Sequence, residues 1–124
     1  TVDFNISHSG EFILAVFAVG MDIGVDVQEM AECPDYREIA ENFYTAEEAE
    51  DVKNEGPDLF FQYWAAKEAY VKALGIGLGR GMDFFSVRNE KIAEKDKKDQ
   101  DWFLYPVRIK GYAAYVAAHK KGDR

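Results

Sequence analysis

Glu68 sits between Lys67 and Lys72 and four residues after Trp64, in the least interrupted stretch of the chain. Residues four apart stack along one face of a helix, so Trp64, Glu68 and Lys72 form one row. Phe60, Tyr63, Lys67, Val71 and Leu74 follow the three-and-four spacing of the neighbouring face. A carboxylate beside two ammonium groups suits an anionic, phosphate-bearing ligand. It equally suits a plain surface Glu68–Lys72 ion pair, worth about 0.3–0.5 kcal/mol. A second carboxylate, Asp26, lies in the alternating run Met21-Asp-Ile-Gly-Val-Asp-Val-Gln28. Alternation sends Met21, Ile23, Val25 and Val27 to the core and puts Asp22, Gly24, Asp26 and Gln28 on the other face. Asp is depleted in strands, so Asp26 marks either a site or an edge facing solvent. Gly24 lets another group approach the backbone closely. If a helix packs on that strand, Asp26 and Glu68 together offer hard oxygen donors. Such a pair suits Mg²⁺, which takes one or two carboxylates and completes its shell with water and phosphate oxygens. Ser7, His8 and Ser9 could add phosphate contacts, although a lone His8 fits a satisfied core histidine as well as a ligand. Ser7-His8-Ser9 is no hydrolase triad, because neighbouring strand residues point to opposite faces.

The elements that must position these groups read α+β: strands, then helices, then strands, with a small antiparallel sheet packed on one long helix and short helices. A strand over 3–10 and an apolar strand over 12–19 form a hairpin, the second too uniformly apolar to face water on either side. The Asp26 strand over 21–28 follows. A short helix over 36–43 turns Ile39 and Phe43 inward, and Thr45 caps a second helix that runs to about residue 53. The main helix starts near Pro57 and ends at Gly75. The glycine-rich stretch 75–81 lacks the Gly-Lys-Ser/Thr ending of a phosphate loop, and no strand precedes it and no helix follows, which excludes the dinucleotide fingerprint. It reads as a loop carrying Arg80. A strand over 82–87, a charged turn over 91–101 and a hairpin of strands over 102–110 and 112–118 complete the chain.

With 124 residues, 48% hydrophobic and 15% aromatic, the chain has material for one core. Its net charge of −8 argues against nucleic acid as a partner. No apolar run is long enough to cross a bilayer as a helix, so no membrane partner is expected. One cysteine, Cys33, excludes an internal disulfide or a cysteine-built metal site and fits a reducing cytoplasm.

Three motifs in order carry a family resemblance. Phe4-Asn-Ile-Ser-His-Ser-Gly10, then Gly24-Val-Asp26-Val, then Trp64-Ala-Ala-Lys-Glu-Ala-Tyr-Val-Lys72 with Gly75-Ile-Gly-Leu78 together resemble the Sfp-type 4′-phosphopantetheinyl transferases. Val116-Ala-Ala-His119 is similar to that family's last strand. Holo-acyl-carrier-protein synthases, the short branch, carry the Gly-x-Asp motif first and Ser-His-Ser last; here the order is reversed. The Sfp type has two similar halves with coenzyme A between them. The resemblance implies that residues 1–124 form a single domain that lacks most of the first half. It implies transfer of phosphopantetheine from coenzyme A to a serine of an acyl or peptidyl carrier protein, with release of 3′,5′-ADP. By the same resemblance Asp26 and Glu68 hold Mg²⁺, and Glu68 also serves as general base. Lys72 stabilises the departing phosphate, Lys67 contacts phosphate, and Ser7 and His8 bind the 3′-phosphate region of coenzyme A. Gln28 stands where the family commonly has a second acidic residue, so it reaches the ion only weakly, through water. The basic docking surface for an acidic carrier falls on the missing half or around Arg80 and Arg88. Two alternatives stay open: a catalytically silent half-domain that binds a partner or pairs with a second copy, and a plain α+β interaction module.

Overall fold

The computed structural model describes residues 2–77, 81–94, 97 and 101–121. Its order of elements is β1 (Val2–Ser9), β2 (Phe12–Val19), β3 (Met21–Glu29), α1 (Tyr36–Phe43), α2 (Ala46–Glu55), α3 (Pro57–Leu74), β4 (Phe85–Ser86), β5 (Ala93–Glu94), β6 (Phe103–Pro106) and β7 (Tyr112–Lys120). The fold is α+β, and all strand pairs are antiparallel. β3, β7 and β6 form the main sheet in that order, β1 and β2 form a hairpin beside β3, and β4 pairs with β5.

Local chemistry accounts for the helix boundaries. Thr45 accepts the Glu48 N–H at 3.2 Å while Glu48 accepts the Thr45 N–H at 3.0 Å, a reciprocal capping box that starts α2. Pro57 occupies the first turn of α3, where its missing N–H has no partner to lose. Gly75 ends α3 at φ +73°, a left-handed value that glycine adopts without steric cost. The predicted strand over 82–87 shrinks to Phe85–Ser86. Met82 and Phe85 instead turn their carbonyls inward to a lysine of α3.

α3 lies across β3 and β7, and its buried residues include Phe60, Tyr63, Ala66, Ala69, Tyr70 and Val71. Gly24 makes this approach close. A Cβ there would sit 2.1 Å from the Ala69 carbonyl oxygen and 2.6 Å from the Ala73 nitrogen. Both obstacles are helix backbone, which cannot swing aside. Gly24→Ala is therefore expected to cost about 1–3 kcal/mol of stability by overpacking. Urea unfolding measures this, and an unchanged midpoint would mean that α3 does not lie so near β3.

This packing corrects the expected division of faces. β3 does alternate, but both of its faces are covered. Val25 and Val27 are fully buried on one side, and the Gly24–Asp26 side faces α3, leaving Asp26 only 5% exposed. Asp26 is not on a solvent edge. The hairpin shows the opposite departure. Its polar side chains turn toward β3, while Phe4, Ile6, Ile13, Phe17 and Val19 are exposed, with Ile13 at 74%. The expectation that β2 avoids water fails because no described element covers that face. Phe43 is likewise exposed rather than inward, and it meets Trp64 edge-on at 6.3 Å.

Candidate functional site

The site lies where α3, β3 and β1 meet. Asp26 is held at both oxygens: Gln28 Nε2 donates to Oδ2 at 2.9 Å, and Ser7 Oγ donates to Oδ1 at 3.4 Å. Burial pushes its carboxyl up to about 6 from 3.8; Gln28 opposes the rise, the charge of Glu68 adds to it, and Lys72 and Ser7 oppose it. Glu68 is half-buried, and burial raises its carboxyl against the pull of Lys72. Asp26, Glu68 and Lys72 thus share one electrostatic neighbourhood. Lys72 is not the partner in a surface ion pair. Its Nζ donates to the main-chain carbonyls of Val25 at 2.8 Å and Ile6 at 3.1 Å, tying α3 to β3 and to β1. An ammonium has three donors, so one remains free for a ligand.

The sign of the Asp26 shift makes a prediction for metal-free protein. The folded value lies above the unfolded one, so folding takes up a proton between pH 3.8 and about 6. This contribution to stability is greatest below that window and declines as pH rises through it. Asp26→Asn is therefore expected to raise the melting temperature by about 5 °C near pH 8 and to change it little near pH 4, in EDTA. An equal change at both pH values would contradict the shift.

Lys67 and Arg88 stand elsewhere than expected. Lys67 is 0% exposed and forms a 2.7 Å ion pair with Glu48, also 0% exposed. Its ammonium donates to the Met82 and Phe85 carbonyls at 2.7 and 2.6 Å and lies 4.3 Å from the centre of the Phe85 ring. All its donors are spent in the core, so its expected phosphate contact is corrected to a structural role. Burial lowers its pKa and Glu48 partly restores it. Arg88, expected near a docking surface, is bound to Asp51 at 2.7 Å and Glu47 at 2.6 Å; Arg80 lies outside the described residues. His8 is exposed on the outer face of the hairpin, whereas Ser7, at 7% exposure, faces inward.

Some contributors escaped the sequence reading. Nothing local marks Glu48 as the partner of Lys67. Tyr112 also went unnoticed. Its hydroxyl accepts the Glu11 N–H at 3.2 Å and donates to Glu29 at 3.1 Å, tying the hairpin turn to the main sheet. Asn5 could have been found, because it shares the alternation of Ser7 and Ser9.

Asp26 and Glu68 fit a hard divalent cation by donor chemistry: both offer carboxylate oxygens, and both are partly desolvated. No group of three or more His, Cys, Asp or Glu side chains forms a metal cluster among the described residues, so the rest of a shell would come from water and ligand oxygens. The Gln28 amide nitrogen is turned to Asp26, which makes it a brace of that carboxylate in this conformation. A cleft of about 230 Å³ lined by Gln28, Ile39, Phe60, Phe61 and Trp64 opens beside the site. A larger groove of about 600 Å³, walled by Leu59, Tyr63, Val107 and Arg108, contains none of the predicted site residues. No described helix is long and apolar enough to cross a membrane.

Residues 22–118 match the family model of the 4′-phosphopantetheinyl transferase superfamily. The 4′-phosphopantetheinyl transferase Sfp of Bacillus subtilis (strain 168) is 38% identical over 89 residues, covering 68% of this chain and 38% of that protein. The L-aminoadipate-semialdehyde dehydrogenase-phosphopantetheinyl transferase of Rattus norvegicus is 29% identical over 144 residues, covering 98% of this chain and 47% of that protein. The chain thus spans less than half the length of either relative. A crystal structure of a holo-(acyl-carrier-protein) synthase from Bacillus anthracis str. Ames, in complex with CoA (3′,5′-ADP), matches with a TM-score of 0.61 at 22% identity, covering 82% of this chain and 96% of that one. At that identity the likeness concerns the fold alone. Taken with the ordered motifs and the meeting of Asp26, Glu68 and Lys72, the family match over 22–118 shows that the chain belongs to the 4′-phosphopantetheinyl transferase superfamily and is of the Sfp type.

Proposed function

We propose that this chain, folded as one domain, transfers the 4′-phosphopantetheine group of coenzyme A to a serine of an acyl or peptidyl carrier protein and releases 3′,5′-ADP. The observation that carries the reading is the convergence of two desolvated carboxylates, Asp26 and Glu68, with the Lys72 ammonium in a chain of this family. The serine oxygen forms a bond to the phosphorus bearing the pantetheine arm, and the bond from that phosphorus to the bridging oxygen of the pyrophosphate breaks. Asp26 and Glu68 would hold Mg²⁺, which when bound supplies neutralising charge on the pyrophosphate oxygens. Glu68 takes the serine proton, directly or through water, and its raised pKa suits a base. Lys72 meets the departing phosphate with its remaining N–H. His8, exposed on the outer face, is available to the nucleotide end. The lone Cys33 is the ground for placing the protein in a reducing cytoplasm.

Calorimetry with coenzyme A tests the reading. Binding that requires Mg²⁺ is expected, and no binding with the ion present would contradict it. The same titration tests residue 28. Gln28→Glu replaces an amide brace by a third carboxylate, so Mg²⁺ affinity is expected to rise about tenfold. Unchanged affinity would mean that residue 28 does not face the ion.

A second reading has its own support. The exposed apolar face of the hairpin, with Phe4 at 62% and Phe17 at 69% exposed, suits a silent half-domain that pairs with another copy or domain. Such a module would bind without transferring.

A further inference from the structure

We propose that Ser7 is a positioning residue for Asp26. The inference rests on the preceding reading only in taking Asp26 as a cation ligand.

β1 joins β3 through side chains. Asn5 Oδ1 accepts the Val25 N–H at 2.9 Å, Ser7 Oγ accepts the Val27 N–H at 3.1 Å, and Ser9 Oγ accepts the Glu29 N–H at 2.8 Å. The rungs advance by two residues on both strands, so the alternation Asn5-x-Ser7-x-Ser9 sets one register. Lys72 reinforces that register by bonding Ile6 O on β1 and Val25 O on β3.

Ser7 differs from the other rungs. A hydroxyl carries one proton and two lone pairs. The Val27 N–H takes a lone pair, and the proton goes to Asp26 Oδ1 at 3.4 Å. Gln28 holds Oδ2 from the other side. Asp26 is thereby oriented from both sides on a strand packed closely against α3 at Gly24. Ser7 is 7% exposed with its hydroxyl turned inward, whereas His8 is exposed. Partners that orient a metal ligand matter almost as much as the ligand, and their loss typically weakens binding about 10–100-fold.

The test uses Mn²⁺ as the probe, followed by the loss of its free-ion electron spin resonance signal, with coenzyme A present and no carrier. Ser7→Ala is expected to weaken Mn²⁺ binding about tenfold. Ser9→Ala removes the same kind of rung without touching Asp26 and is expected to leave that affinity unchanged. Ser7→Thr keeps the hydroxyl and is expected to restore it. Thermal melts first establish that each variant is folded at the temperature used. Equal affinity in Ser7→Ala and the unaltered chain overturns the proposal while the site reading stands. So does an equal loss in Ser9→Ala, or a folded Ser7→Thr that restores nothing. Failure of the unaltered chain to bind Mn²⁺ overturns both the proposal and the site reading.

Discussion

Glu68→Gln is expected to reduce transfer at least about a hundredfold while the chain remains folded. Two roles fall together, since an amide neither accepts the serine proton nor gives a divalent cation a charged oxygen. The fold should not suffer. Glu68 is only half-buried, and burial already disfavours its charged form, so the neutral amide removes a desolvation cost. The melting temperature should therefore stay the same or rise slightly. Transfer at the unaltered rate in a folded Glu68→Gln would remove Glu68 from the chemistry. A collapse of the fold would make it structural.

Its sequence neighbour should behave in the opposite way. Lys67→Met is expected to destabilise the chain by about 3–5 kcal/mol, a large fraction of the roughly 5–15 kcal/mol that holds a typical domain together. The variant strands Glu48, fully buried, without its counter-charge. It also removes the donor from the Met82 and Phe85 carbonyls, loosening the segment that β4 belongs to. Glu48→Gln in the same chain should recover part of the loss, because the uncompensated charge is then gone. Urea unfolding of the two single variants and the double variant measures this coupling. A loss under about 1 kcal/mol for Lys67→Met, typical of an exposed pair, would contradict the buried geometry.

The contrast between Lys67 and Glu68 shows what was legible in the sequence. Helical periodicity placed Lys67 with Phe60, Tyr63 and Val71, and that face is the buried one. The resemblance assigned Lys67 to phosphate, whereas its own row pointed to the core. Its partner, Glu48, is 19 positions away on another helix, and no local pattern encodes such a pairing. The start of α2 and both ends of α3 could be read because Thr45, Pro57 and Gly75 act through their own backbone neighbours. Asp26 was recognisable as an anomaly on its strand. Its burial was not, since it depends on α3 meeting Gly24. The role of the hairpin was hidden for a similar reason. The alternation of Phe4, Ile6 and His8 with Asn5, Ser7 and Ser9 was plain, but which side faces β3 depends on that strand's free N–H groups, which the polar set satisfies.

Transfer is read most directly by mass. The chain would be mixed with a purified apo carrier protein, coenzyme A and Mg²⁺, and the carrier's intact mass followed. A gain of one phosphopantetheine group is expected, absent with Glu68→Gln and absent in EDTA. A carrier whose mass never changes, even when the N-terminal half of an Sfp-type relative is supplied alongside, would contradict transfer and favour a binding module.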